Sequence, residues 1–187
     1  MVIIATRFIK EMYDLSIEGW MLEEELKIIE EWAKMVPDKG VVVEVGSHLG
    51  RSSYCWAKSI PESATLYCID HWHDLIFNSV LISNRYERFL ESTKDCKNII
   101  PIKGKVPNIK YPRKLIDILY IDADHKNPND LEIIFFFKNF LKKNALICGH
   151  DYSVEWPVVV QNVRLLEKMY KTKVKLFALN TQWEIQT

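Results

Sequence analysis

Five short apolar runs, separated by stretches of helical character, govern what this chain can fold into. They are "VVVEV" from Val41, "ATLYCID" ending at Asp70, "NIIPIKG" ending at Gly104, "IDILYID" ending at Asp122, and "ALICGHD" ending at Asp151. Runs this short and this continuously apolar, rich in β-branched residues, are strands buried on both faces. Ahead of the first, "MLEEELKIIEEWAKM" over 21–35 sets Leu22, Leu26, Ile29, Trp32 and Ala33 near one helical face and glutamates on the other, and Pro37, Asp38 and Gly40 stop it. Further helices are expected over 52–59, about 78–95 and about 129–141, and from Pro157, at a first helical turn, to about Tyr170. "KVKLFAL" and "QWEIQT", joined at Asn180 and Thr181, read as a closing antiparallel pair. Strands alternating with helices predict a parallel, doubly wound α/β sheet, with the antiparallel strand as its distinctive addition.

A length of 187 residues suits one domain over 1–187, on which the helical segment 1–35 packs. Hydrophobic residues at 48% are too many for a disordered chain. Lysine and arginine total 25 and so do aspartate and glutamate, so no global field draws in nucleic acid or an anionic membrane. The apolar run in "MVIIATRFIKEMYDL" is too short for a signal peptide, and no run approaches the roughly 20 residues of a membrane span. Cys55, Cys68, Cys96 and Cys148 show no CxxC spacing, and three lie in apolar surroundings. Buried free thiols in a reducing, cytoplasmic compartment are the expectation.

In open α/β sheets ligands bind beyond the carboxyl ends of the strands. Here those ends carry Glu44 with the 46–53 turn, Asp70 with His71, Gly104, Asp122 with Asp124 and His125, and His150 with Asp151. Any one of these also suits a turn or a helix cap, but five on one rim predict a site. Gly46 and Gly50 let the backbone turn tightly, and the helix after Gly50 aims its amides at a ligand. A carboxylate at Glu44 repels a pyrophosphate and favours an ammonium-bearing ligand. "GSHLGR" lacks the third glycine of the dinucleotide fingerprint, and no GK[ST] follows to make a P-loop. Asp70 suits a ribose diol, while Trp72 either covers an adenine or simply packs.

"VVVEVGSHLGRSS", "YCIDHW", "DILYIDADH" and "LICGHDY", in that order, resemble the successive motifs of class I S-adenosylmethionine-dependent methyltransferases. The likeness is strongest to a small group with E-x-G-S-x-x-G-x-S, I-D-x-W, I-D-x-D-H and G-H-D-Y signatures. That group is related to the catechol and caffeoyl-CoA O-methyltransferases and to antibiotic-pathway enzymes, and the likeness covers about residues 19–187. It implies a Rossmann-like three-layer sandwich with a mostly parallel seven-stranded sheet and a C-terminal antiparallel strand. It assigns the cofactor's methionine moiety to Gly46, Ser47 and Gly50, with Glu44 at the loop's base and Arg51 and Ser52 opening the next helix. It gives the ribose hydroxyls to Asp70, the adenosine flanks to His71 and Trp72, and the adenine edge to Gly104 and Lys105.

Catechol-type relatives hold a divalent metal with an aspartate at the fourth strand end and an Asp-Asn pair at the fifth, and use a lysine as base. Asp122 and Asp151 match the aspartates, whereas Tyr152 stands in place of the asparagine and His125 in place of the lysine. The resemblance therefore implies cofactor binding at Asp122, catalysis by His125 and Asp122, and a magnesium or manganese site at Asp122, Asp151 and His150 or Asp124. A histidine ligand shifts that preference from magnesium toward manganese. The expected reaction is in-line attack by an oxygen of a small, sugar-like acceptor on the sulfonium methyl, with no nucleic acid and no membrane as partner. No Asn-Pro-Pro-aromatic motif of amino-methylating nucleic-acid enzymes is present. The alternatives are a non-catalytic S-adenosylmethionine-binding module, a nicotinamide-dependent oxidoreductase, or a hydroxylase, for which no iron triad is present. Only 1–20 and 73–85 are free to form a lid, so a partner subunit in a homo-oligomer is a further way to complete the pocket.

Overall fold

The computed structural model describes residues 12–125 and 129–187. Its elements run α1 (Glu23–Ala33), β1 (Val41–Val45), α2 (Arg51–Ser59), β2 (Thr65–Asp70), β3 (Leu75–Phe77), β4 (Val80–Ile82) and α3 (Arg85–Ser92). They continue with β5 (Ile99–Lys103), β6 (Ile116–Ile121), α4 (Asn129–Phe137), β7 (Leu141–Gly149), α5 (Pro157–Tyr170), β8 (Lys175–Phe177) and β9 (Gln182–Gln186). Seven strands form one sheet in the order β5-β2-β1-β6-β7-β9-β8. The first five of these pair parallel, and β9 runs antiparallel to both β7 and β8. This is the mostly parallel, three-layer sandwich with a C-terminal antiparallel strand that the sequence implied.

Period-two alternation sends the apolar runs into two separate cores. Val42, Leu66, Ile118 and Leu146 face α1 and α2, where Leu26, Ile29, Trp32 and Trp56 meet them. Val43, Ile69, Leu119 and Ile147 face the other way, onto Ile133 and Phe137 of α4 and Val159, Val163 and Leu166 of α5. All four cysteines are buried free thiols. Among the described residues, no helix is long and apolar enough to cross a membrane.

Two boundaries differ from the sequence reading. The helix expected over about 78–95 is confined to Arg85–Ser92, and ahead of it lies a two-stranded hairpin, β3 with β4. Asn78 and Ser79 both take positive φ (48° and 64°), the geometry of a two-residue hairpin turn, and β-formers flank them on each side. The helix expected to reach Leu141 ends at Phe137, and β7 starts at Leu141 rather than Ala145. Leu141 pairs with Ile116 across a register shift, so tertiary pairing overrides the local pattern.

Candidate active site

The chain leaves β1 toward β2 and β5 on one side, and β6 and β7 lie on the other. That reversal is the topological switch point where open α/β sheets bind ligands. A cavity of about 490 Å³ lies there, within the range of roughly 300–1,000 Å³ usual for small-molecule sites. Of the residues named from the sequence, Gly46, Ser47, Arg51, Ser52, Asp70, His71, Gly104, Lys105, Asp122, His125, His150 and Asp151 border it, while Glu44, Gly50 and Trp72 do not.

Glu44 shares its strand face with Val42 and so points at α2, where it is fully buried. It accepts hydrogen bonds from Ser47 Oγ (2.7 Å), Ser52 Oγ (2.7 Å) and Ser53 Oγ. Burial pushes its pKa up, and the three hydroxyls pull it back. Glu44 thus braces the loop rather than holding an ammonium group itself. Gly46 (φ +102°) lies so close to β6 that a Cβ there would sit 1.7 Å from the Asp122 carbonyl oxygen. Gly50 (φ +99°) is the N-cap of α2.

At the β2 end, the Asp70 carboxylate accepts hydrogen bonds from the backbone of His48 (2.9 Å) and Trp72 (2.7 Å) and pairs with Arg85 Nη2 at 3.3 Å. Arg85, which the sequence reading missed, is buried in the first turn of α3 and also contacts His48 Nδ1 (2.9 Å) and His73 O (2.8 Å). A guanidinium only donates, so Nδ1 of His48 is the acceptor and Nε2 carries the proton. That Nε2 is buried without a hydrogen-bond partner. Nothing in "NRYERF" distinguishes Arg85 from a solvated arginine; only the hairpin folds it back under the loop. Trp72 packs against Tyr86 and Phe89 and donates Nε1–H to His48 O (2.7 Å), so it is a core residue rather than an adenosine cover. His71 remains on the wall, 3.8 Å from Asp70, and Lys105 pairs with Asp124 at 3.3 Å.

Both segments proposed as a lid reach the cavity, through Gly19 and Trp20 on one side and Leu75 and Phe77 on the other. Residues 1–11 of the first lie outside the described residues. Arg51 fixes that first segment by donating to Ile17 O (2.7 Å), Met21 O (2.8 Å) and Leu15 O (3.2 Å). Trp20 is thereby stacked on His48, with centroids 4.5 Å apart and planes at 19°.

Burial and the neighbouring Arg85 lower the His48 pKa to about 4. An unfolded histidine titrates near 6.5, so its stabilising contribution is complete above that pH and is lost as pH falls through 4. Between pH 8 and pH 5 the wild type should lose about 2 kcal/mol more stability than His48→Gln. Urea unfolding of both proteins at the two pH values measures this, and equal losses would count against the assignment.

At the β6 and β7 ends, ligand atoms of Asp122, His125 and Asp151 all lie within 4.8 Å of one another. His125 Nε2 is 3.0 Å from Asp151 Oδ2 and 3.6 Å from Asp122 Oδ1, and Nδ1 is 3.4 Å from Asp130 Oδ2. Burial alone would lower the His125 pKa, but Asp122, Asp130 and Asp151 raise it to about 12. Those carboxylates favour the imidazolium form of His125 while no cation is bound, so it would have to give up that proton before it could act as the general base the sequence suggested. Burial alone would raise the Asp151 carboxyl, but His125 and His150 hold it well below its usual value. His150 turns Nε2 to Glu25 Oε1 (2.7 Å) and Nδ1 to Asp151 Oδ1 (3.2 Å). Tyr152 packs against the α4 and α5 core. His48, His125 and Asp151 all take positive φ (46°, 46° and 60°), strain of about 1–3 kcal/mol each that gathers at this rim.

A sequence family described as a methyltransferase domain matches residues 43–152, more than half of the chain. No curated protein matches it. Among solved structures it is similar to a methyltransferase from Geobacter sulfurreducens at 19% identity, covering 89% of this chain and 79% of that one, with a TM-score of 0.62. It is similar to the O-methyltransferase TomG from Streptomyces achromogenes, involved in tomaymycin synthesis and solved with S-adenosylmethionine, at 16% identity, 90% and 82% coverage and a TM-score of 0.63. An rRNA methylase from Streptococcus thermophilus shares the fold at 15% identity, 90% and 99% coverage and a TM-score of 0.61. The residues fit S-adenosylmethionine, the molecule with which TomG was solved: the glycine loop leaves room beside β6, Asp70 borders the cavity, and His48 Nε2 is a buried donor without a partner. The chain belongs to this methyltransferase-domain family, and its fold is the one that solved O-methyltransferases also have.

Proposed function

We propose that this protein transfers the methyl group of S-adenosylmethionine to an oxygen of a small-molecule, sugar-like acceptor. The observation that carries this reading is the convergence of Asp122, His125 and Asp151 on the floor of the cavity that Asp70 also borders. Asp70 accepts the ribose hydroxyls, the 46–50 loop carries the methionine moiety, and His71 with Lys105 flanks the adenine. The acceptor enters beside Trp156, whose ring centroid is 5.5 Å from that of His125. Methyl transfer needs alignment and removal of one proton from the attacking hydroxyl. With no cation bound and His125 protonated, that proton goes to a carboxylate oxygen of Asp122, while the imidazolium stabilises the developing oxyanion.

In the alternative state, with the Nε2 proton of His125 displaced, the same three side chains fit a divalent metal. His125 Nε2 is buried, 3.0 Å from Asp151 Oδ2, yet has no hydrogen-bond partner. Groups that converge without being aligned to bond each other suit a shared cation. A metal held there lowers the pKa of an oxygen it binds. Trp20, Phe77 and Trp156 at the cavity favour a compact acceptor with an apolar face, rather than a folded nucleic acid.

The test is transfer of a labelled methyl group from S-adenosylmethionine to a panel of hydroxylated and amine-bearing metabolites, sugar nucleotides and RNA. Labelled methyl ethers support the reading. Labelled amines or RNA alone would replace it. Asp70→Asn checks the cofactor end: S-adenosylhomocysteine affinity should fall about 10- to 100-fold, the loss of charge-assisted hydrogen bonds. Calorimetry showing unchanged affinity would remove Asp70 from the site.

A further inference from the structure

Glu25 lies in the first turn of α1, outside every motif of the cavity rim, yet is only 6% exposed. One carboxylate oxygen caps its own helix by accepting the Leu22 backbone N–H at 2.7 Å. The other lies 2.7 Å from His150 Nε2 and 2.7 Å from the Thr181 hydroxyl, just ahead of β9, whose single proton it shares with Ala178 O, also at 2.7 Å. Both oxygens are therefore committed, and the His150 ring is held at one edge by a carboxylate that cannot swing away. Its other edge, Nδ1, faces the acid cluster, 3.2 Å from Asp151 Oδ1 and 4.0 Å from Asp122 Oδ1.

Two ligand atoms each about 2.1 Å from one ion lie about 3.0–3.4 Å apart for octahedral or tetrahedral angles. The spacings of 3.0 Å from His125 to Asp151 Oδ2 and 3.2 Å from His150 to Asp151 Oδ1 fall in that range, whereas those from His125 and His150 to Asp122 Oδ1, 3.6 Å and 4.0 Å, lie outside it, so His150 must draw in toward the Asp122–His125–Asp151 cluster to bind with it. A histidine that ligates a metal through one ring nitrogen characteristically gives its other N–H to a carboxylate, which fixes its tautomer and orientation. Glu25 stands in that place.

Resting on the metal reading above, we propose that Glu25 is a positioning residue that holds His150 as a fourth donor, its Nδ1 joining Asp122, His125 Nε2 and Asp151. Two imidazole nitrogens beside two carboxylates make this a site for a transition-metal divalent cation such as Mn²⁺ rather than for Mg²⁺, which demands oxygen ligands. The arrangement also ties α1 and the strand ahead of β9 to the occupancy of the site, because Glu25 and Thr181 form its outer layer.

The experiment titrates the metal-free full chain with MnCl₂ and with MgCl₂ by calorimetry, and counts imidazole nitrogens on bound Mn²⁺ by electron spin-echo spectroscopy. Wild type should bind Mn²⁺ at least about 10-fold more tightly than Mg²⁺ and show two coupled nitrogens. Glu25→Ala should weaken Mn²⁺ binding about 10- to 100-fold and lose one of them. Glu25→Gln, whose carbonyl still accepts the Nε2–H, should recover most of the loss. S-adenosylhomocysteine affinity, unchanged in both variants, reports that the fold is intact; the Glu25→Gln comparison carries the test if Glu25→Ala fails to fold. One coupled nitrogen in wild type, equal Mn²⁺ and Mg²⁺ affinity, or Glu25 variants that bind Mn²⁺ as wild type does would overturn this inference and leave the metal reading standing. No Mn²⁺ binding by wild type would overturn both.

Discussion

Gly46→Ala should unfold the protein or leave it unable to bind S-adenosylhomocysteine, since no other glycine would bring an added Cβ so close to a neighbour. A Cβ at position 46 would sit 1.7 Å from the Asp122 carbonyl oxygen and 2.4 Å from its carbon, well inside any van der Waals contact. Neither backbone is free to retreat. The Gly46 N–H donates to Ile69 O at 2.8 Å on one side, and the Asp122 N–H donates to Val45 O at 2.9 Å on the other. The φ of +102° is in addition a conformation that alanine adopts only under strain. Relief requires parting β1 from β6 at the centre of the sheet, so the expected destabilisation exceeds about 4 kcal/mol. Urea denaturation followed by circular dichroism gives the stability, and calorimetry gives the affinity. A Gly46→Ala protein with wild-type values of both would mean that the loop and β6 do not approach this closely.

Asp122→Asn should lower methyl transfer by about 10²- to 10⁴-fold while S-adenosylhomocysteine still binds within about 10-fold of wild type. The substitution preserves shape and volume but removes the charge that faces His125 at 3.6 Å and, on the present reading, the oxygen that takes the acceptor's proton. Asp130 and Asp151 still pair with His125, so the imidazolium keeps two carboxylates and the fold should survive. Single-turnover transfer from labelled S-adenosylmethionine, on the acceptor found by screening, separates this chemical step from binding. Turnover by Asp122→Asn at the wild-type rate would assign the proton to another group and leave Asp122 a structural role beside Gly46.

The fold was legible because its signals are local and redundant. Five apolar runs too short for helices, interrupted by polar turns, admit little besides a parallel α/β sheet, and the doubled run at the C-terminus gives the antiparallel strands. The hairpin β3–β4 was not legible, because "LIFNSVLI" carries no Asn-Gly or Asp-Gly turn and borders a true helix. Its misreading also concealed Arg85, which becomes a buried partner of Asp70 only after the hairpin turns the chain back.

What the sequence by itself determined is the class of fold, the rim on which polar residues gather, and the family, since each depends on residue types at fixed short spacings. The tertiary structure alone decided what those residues do. Glu44 and Trp72 have the right positions along the chain, but strand alternation and the packing of α3 turn them away from the cavity. His125 has the residue type of a base, but Asp130, Asp151 and Asp122 surround it and raise its pKa while no cation is bound. Glu25 is 125 residues from His150 and 156 from Thr181 along the chain, and touches both. The physical reason is the same in each case: charge state and orientation depend on through-space neighbours within a few ångströms, and packing assembles those neighbours from elements that no spacing rule connects.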